Sequence, residues 1–175
     1  NVRAIPDPEL EPEKSDGYEL GLRWSGAGAS VAASAYYTDY HDFIESKVNL
    51  GVDPATGVTL FQSQNVAEAR IYGAEFDARV DVSAWSPRLA GWSGRLAGSW
   101  IRGDDLTRDV PLNSIDPPRL VLGMRYDAPS TRWGSELALT AVEAQREVDR
   151  SRADLYRTDG YATLDWLANV NITPR

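Results

Sequence analysis

Apolar and polar residues alternate with a period of two along most of the chain, and helical spacing is scarce. Tyr18, Leu20, Leu22 and Trp24 oppose Glu19, Gly21 and Arg23, which predicts a strand with one apolar and one polar face. After the small-residue turn Ser25-Gly26-Ala27-Gly28, a second strand is predicted over residues 29–44, closing a hairpin with the first. Residues 45–63 read as a polar loop, because Asp53-Pro54-Ala55-Thr56-Gly57 carries turn signals. A third strand follows over 65–82, with Tyr72, Ala74, Phe76, Ala78, Val80 and Val82 against Gly73, Glu75, Asp77, Arg79 and Asp81. Four charges on one face cannot sit in a dry core without partners, so that face is wet. Further strands are predicted over 92–102, 119–126, 133–142 and 161–172.

The connections sort by edge. Those after the first, third and fifth strands are short turns, whereas those after the second, fourth and sixth are longer and polar. Strands of about ten residues with long loops at one end and short turns at the other describe an antiparallel transmembrane β-barrel. Trp24, Trp85, Trp92, Tyr126 and Trp133 all map to the short-turn rim, as an interfacial aromatic girdle requires. Tyr18, Tyr37 or Tyr40, Tyr72 and Trp100 form a looser counterpart at the other rim. Glu19, Glu75, Asp77, Arg79, Arg119, Arg125, Glu136 and Asp165 fall on the wet face, where a lumen lets them pair with one another, line a solute path or grip an internal plug.

Composition narrows the chemistry. The 175 residues carry a formal charge of -8, 42% hydrophobic residues, no cysteine and one histidine. That rules out disulfide frameworks, thiolate chemistry and multi-histidine metal sites. The scattered cations and the acid excess argue against nucleic acid as a partner. No apolar run reaches the roughly 18 residues of a membrane helix, and residues 1–10 lack the pattern of a signal peptide. Glu9, Glu11 and Glu13 are separated by residues that include Pro12, which favours an extended solvated segment over a calcium site. Asp104-Asp105, read as part of a loop, has no positioned partner for acid–base work, and no nucleophile elbow, Walker loop or dinucleotide fingerprint occurs. No catalytic, cofactor or metal site is predicted.

Four stretches carry a family resemblance. Asp7-Pro8-Glu9-Leu10-Glu11-Pro12-Glu13-Lys14-Ser15 with Tyr18-Glu19-Leu20-Gly21 resembles the "NP-x-L-x-PE-x-S … YELG" segment of TonB-dependent outer-membrane receptors. Tyr36-Tyr37-Thr38-Asp39-Tyr40 through Asp42-Phe43-Ile44 agrees with it, as does Gln64-Asn65-Val66 through Ala69-Arg70-Ile71-Tyr72-Gly73-Ala74-Glu75. So does Pro111-Leu112-Asn113-Ser114-Ile115 before Leu120-Val121-Leu122-Gly123. The positions matching the motifs are Pro8, Leu10, Pro12, Glu13, Glu19, Asn65, Gly73 and Glu75.

The nearest flavour is the haem and haemoglobin receptor branch, whose "NPDL" box is matched with Asp7 for asparagine and Glu9 for aspartate. That branch's "FRAP" box and ligand histidine have no counterpart here, and Asp116 and Pro118 depart from its approach to the fifth strand. Tyr40 and His41 are the candidate ligand contacts near the long-loop end.

The resemblance implies an outer-membrane receptor of a Gram-negative cell for energised uptake of haem, haemoglobin or a ferric siderophore, and no enzyme. It also implies a barrel of about twenty-two strands around a plug. TonB and its inner-membrane complex would supply energy through an N-terminal portion, and the remaining partners are the plug and outer-membrane lipid. On this reading residues 1–175 are a partial receptor barrel domain of about seven strands, an odd number where single-chain barrels are even. The plug and the remaining strands lie outside it. A soluble β-sheet binding module and a non-transporting outer-membrane barrel such as an adhesin are the alternatives.

Overall fold

The computed structural model describes residues 2–130, 132–150 and 157–172. It is one sheet built from β1 (Val2–Ala4), β2 (Lys14–Gly26), β3 (Ala29–Val52), β4 (Thr59–Asp81), β5 (Trp92–Asp105), β6 (Val110–Pro111), β7 (Arg119–Asp127), β8 (Trp133–Val142) and β9 (Tyr161–Val170). Seven strands follow the path β2-β3-β4-β5-β7-β8-β9, each antiparallel to the next. The two short strands lie off the path: β1 runs parallel to β4, and β6 pairs with β5. The sheet is open, and between β4 and β5 the chain makes two single-turn 3-10 segments, Val82–Ala84 and Pro87–Leu89.

The expected antiparallel wall is present, with two corrections. Residues 45–63 are not a loop. β3 runs to Val52 and β4 starts at Thr59, so the connection is only 53–58. At about 3.3 Å per residue the 24 residues of β3 extend about 80 Å, well beyond what a bilayer needs. The outer half of this hairpin carries polar residues on both faces because water lies on both sides, and without alternation its strands read as a loop. For the same reason Asp104 and Asp105 close β5 rather than lie in a loop. The second correction concerns lengths. The two longest connections, 106–118 and 143–160, lie at one edge, but the strict sorting by length fails because the six residues at 53–58 on that edge are fewer than the ten at 82–91 on the other. The short turn expected after the fifth strand falls partly on a residue outside those described.

The tight end of the sheet is set by backbone geometry. Ala27 and Gly28 both take positive φ, 49° and 77°, the conformation of a two-residue hairpin turn whose twist matches its strands. Ser25 and Gly26, expected in that turn, are paired residues of β2. Trp85 donates its indole N–H to the Ala27 carbonyl at 2.8 Å, fastening the neighbouring turn to this one.

Inside the sheet, Gly73 leaves no room for a side chain, against backbone as well as a ring. It pairs with Tyr36, and a Cβ there would lie 2.6 Å from the Trp100 carbonyl oxygen and 2.7 Å from the Tyr36 hydroxyl. The tyrosine ring therefore covers the glycine across the strand pair. Gly73→Val is expected to destabilise the folded barrel by about 1–3 kcal/mol through overpacking. A lowered unfolding temperature in heat-modifiability gels checks this, and an unchanged transition would show that the ring simply moves aside.

Candidate functional site: the lumen wall and its mouth

Cross-strand register sorts the residues onto two faces. Glu75, Ser34, Ser99 and Arg119 share one row; Asp77, Ala32, Ala97 and Val121 the next; Arg79, Arg95, Gly123 and Asp165 connect through the next, and Asp81, Arg125 and Glu136 lie in the last. All eight residues expected on the wet face fall on this side. The other face carries Leu20, Leu22, Phe76, Leu96, Leu120, Leu122, Leu137, Leu139 and Leu164, each exposed in the isolated sheet. Such a continuous apolar surface suits lipid and not water.

Aromatic residues bound the apolar face at both heights. At the short-turn rim the Trp92 and Tyr126 rings are 5.1 Å apart, as are Tyr126 and Trp133. At the other rim Tyr37 and Tyr72 are 6.4 Å apart, and Tyr72 and Trp100 5.8 Å. Tyr37 belongs to this upper band and Tyr40 does not, because Tyr40 pairs with Ala69 on the opposite face. From Trp92 to Trp100 the strand rises about 26 Å, or about 20 Å along the membrane normal when tilted 40°. That approaches the apolar band of about 25 Å in membrane barrels. Within the band Trp166 donates its indole N–H to Ser135 Oγ at 2.9 Å, so a polar group facing hydrocarbon is satisfied. Just above it Arg70 pairs with Asp39 at 3.1 Å and lies 5.1 Å over the Tyr37 ring, marking the height at which charge returns.

On the wet face the charges divide into satisfied and free groups. Asp77 accepts from Arg79 at 3.0 Å and from Arg95 at 2.7 Å. Arg125 grips Asp127 with two nitrogens, at 2.6 and 2.7 Å, and reaches Glu136 at 3.3 Å. Glu19, Glu75, Arg119 and Asp165 make no hydrogen bond or ion pair among the described residues. Glu19 and Glu75 line the same open trough, one strand apart with β3 between them.

The motif before β2 acts mainly as a strap. Asn65 holds it: its side chain accepts from Glu11 N at 2.8 Å, donates to Glu11 O at 3.0 Å and donates to Asp42 O at 2.6 Å. Glu13 accepts the Ile44 N–H at 3.1 Å. Asp7 accepts from Glu9 N across Pro8, a role that the usual asparagine oxygen fills equally well. Pro8, Leu10 and Pro12 are exposed along this segment.

Asp42 has φ 56° and turns β3, so that Phe43 joins Tyr40 on the inner side, their rings 5.1 Å apart and edge to face. Phe43, Ala69 and Leu112 form a buried cluster with Tyr40, Ile71 and Ile115 packed against it. His41 pairs with Lys14 and Glu68 on the opposite, outward side and is exposed. The structure therefore separates the two candidate ligand contacts, placing Tyr40 toward the lumen and His41 away from it.

Sequence reasoning missed the buried charges at this end. Asp105 is fully buried and accepts from Thr107 N and Arg108 N at 2.9 Å each and from Arg108 Nε. Arg108 also donates to buried Glu45 at 3.0 Å. Desolvation opposes the Arg108 charge, but the carboxylates of Asp105 and Glu45 outweigh it and raise its pKa. The Asp105/Arg108 spacing was visible in the sequence, whereas Glu45 lies 63 residues away from Arg108 and no local pattern links them. At the hairpin tip, the Thr56 hydroxyl and then the Ala55 amide hold the Asp53 carboxyl below its usual range.

An antiparallel sheet with one banded apolar face and one charged face is a stretch of wall from a transmembrane antiparallel β-barrel. The chain belongs to the TonB dependent receptor-like, beta-barrel family, which matches it over residues 1–175. These receptors are outer-membrane proteins of Gram-negative bacteria and are transporters rather than enzymes. The chain is 31% identical over 177 residues to hemoglobin-haptoglobin utilization protein B of Neisseria meningitidis, covering 89% of this chain and 22% of that protein. It is 25% identical over 186 residues to the probable hemoglobin and hemoglobin-haptoglobin-binding protein 4 of Haemophilus influenzae, covering 95% of this chain and 18% of that protein. Among solved structures, the copper transporter OprC superposes with a TM-score of 0.77 at 20% identity, covering 95% of this chain and 24% of OprC. The chain thus spans about a fifth of the length of these curated relatives.

Asn65→Ala removes both contacts to Glu11 and the one to Asp42, at a cost of about 1–2 kcal/mol. Protease cleavage within residues 5–13 should accelerate while β7 and β8 stay intact. Resistance equal to that of the parent protein would show that the strap is held elsewhere.

Proposed function

We propose that this chain is part of the wall and the outer mouth of a receptor that takes up an iron-bearing ligand, haem, haemoglobin or a ferric siderophore, across the outer membrane. The observation that supports it best is a banded apolar face opposite a charged, lumen-facing one, in a chain whose relatives are named for haemoglobin-haptoglobin and transferrin binding. On this reading the segment is not an enzyme and binds no cofactor of its own; haem or ferric siderophore is cargo. TonB and its inner-membrane complex drive transport through a part of the receptor outside residues 1–175, and outer-membrane lipid surrounds the apolar face.

Glu19 and Glu75 are assigned to hold basic groups of an internal plug domain. Both face the lumen with no hydrogen bond or ion pair among the described residues, and carboxylates shielded from bulk water gain most from a cation brought against them. Tyr40, on the inner side of the mouth, is better placed for a ligand than outward-facing His41.

The test is growth of an iron-starved strain deleted for the receptor gene and complemented with variants, on haemoglobin, haem or a ferric siderophore as sole iron source. Loss of growth on one of these, restored by the parent gene only when TonB is present, is the expected outcome. Growth on all three without the gene refutes the reading. The double variant Glu19→Gln/Glu75→Gln should lower TonB-dependent uptake while the folded barrel keeps its gel mobility. His41→Ala should leave haem binding, read from the Soret band, within about twofold of the parent, since a single exposed residue contributes little to affinity.

A further inference from the structure

Three polar connections meet at the mouth, and each is tied to the next by a specific buried or half-buried group. The first is the β3–β4 hairpin, which contributes Glu45, only 5% exposed. The second is 106–118, which folds back on the inner face of β5: Leu112 N donates to Gly103 O at 2.9 Å, and the Ile115 side chain occupies the space that a Cβ at Gly103 would fill. Arg108 and the Asn113 amide of this segment both reach Glu45, at 3.0 and 3.4 Å. The third is 143–150, which leans on the second. Asn113 Oδ1 accepts the Asp149 amide at 2.9 Å, Gln145 Nε2 donates to Ile115 O at 2.7 Å and Glu143 N donates to Pro118 O at 2.9 Å.

Asn113 is thus a relay, with its main-chain N–H on Glu45 and its side-chain oxygen on Asp149. Glu45 and Asp149 belong to segments about a hundred residues apart in the chain and are joined through one asparagine. The anchor is stiff. Glu45 and Asp105 are nearly dry, and a buried carboxylate deprived of its cation is far costlier than an exposed one.

We propose that Glu45, Arg108 and Asn113 lock the hairpin, 106–118 and 143–150 into one body, so that the mouth of the barrel rearranges as a unit and a ligand touching one segment acts on all three. The proposal rests on the geometry of the mouth and not on the identity of the cargo. Coupling of this kind requires a shared element whose state every segment biases, and the Glu45 cluster is that element.

The test is amide hydrogen exchange on the receptor in outer-membrane vesicles. Glu45→Gln keeps the shape of the side chain and removes its charge. It should speed exchange at Asn113 by about tenfold and at Asp149, which Glu45 does not touch, by a comparable factor. Asn113→Ala keeps its main-chain N–H and loses only the acceptor, so Asp149 should speed up while Leu112 keeps its protection. The double variant should match Glu45→Gln at Asp149, because both changes break one path. An Asp149 amide that stays protected in Glu45→Gln overturns the proposal. So does additive acceleration in the double variant, which would mean that the segments are held independently. Unchanged protection of β7 and β8 confirms in the same samples that the wall is folded.

Discussion

Every feature of this chain depends on one requirement: in hydrocarbon, a peptide N–H or C=O without a protein partner is prohibitively costly. A sheet meets it only by pairing each strand along its whole membrane-spanning length, and the ladders from β2 to β9 do so in unbroken antiparallel register over the banded region. The period of two follows from that pairing. Once register is fixed, one residue in two must face lipid, and leucine, alanine and the aromatic bands occupy those positions. The charges collect opposite by exclusion.

The same requirement explains what changes at the mouth. Beyond the Tyr37–Tyr72 band water can satisfy the backbone, so the ladder no longer dictates composition or straightness. β3 takes a positive φ at Asp42, its side chains shift inward at Phe43, and register slips occur between Glu45 and Val48 and between Asn49 and Gly51. Such irregularities are costly in a lipid-facing wall and tolerated in a solvated hairpin. They make room for the Phe43, Ala69 and Leu112 cluster and for the buried Glu45 and Asp105, which give this end of an otherwise coreless sheet its own packed centre.

Function divides along the same line. The membrane-embedded wall is a regular paired scaffold that offers the lumen charges fixed by register, such as the carboxylates of Glu19 and Glu75. The mouth is where side chains are organised in three dimensions, and where Asn65, Asp42, Arg108 and Asn113 turn separate polar segments into one surface. The tethered strap at 5–13 and the segment at 106–118 both approach the β3–β4 hairpin, so the hairpin serves as a post to which the rest of the mouth is fastened.

The alternation around Tyr18, Phe76, Leu122 and Trp166 was enough to determine the strands, their faces and the aromatic rims, because lipid on one side and water on the other impose a local rule that each residue obeys independently. The eight wet-face residues were legible for the same reason. The polar half of the hairpin was not, since water on both faces erases the alternation by which a strand is recognised. Nor was the union of Glu45 with Arg108 and Asn113. A contact between residues more than sixty positions apart is decided by where register and the turn at Asp42 bring the chain, and only the tertiary structure contains that information.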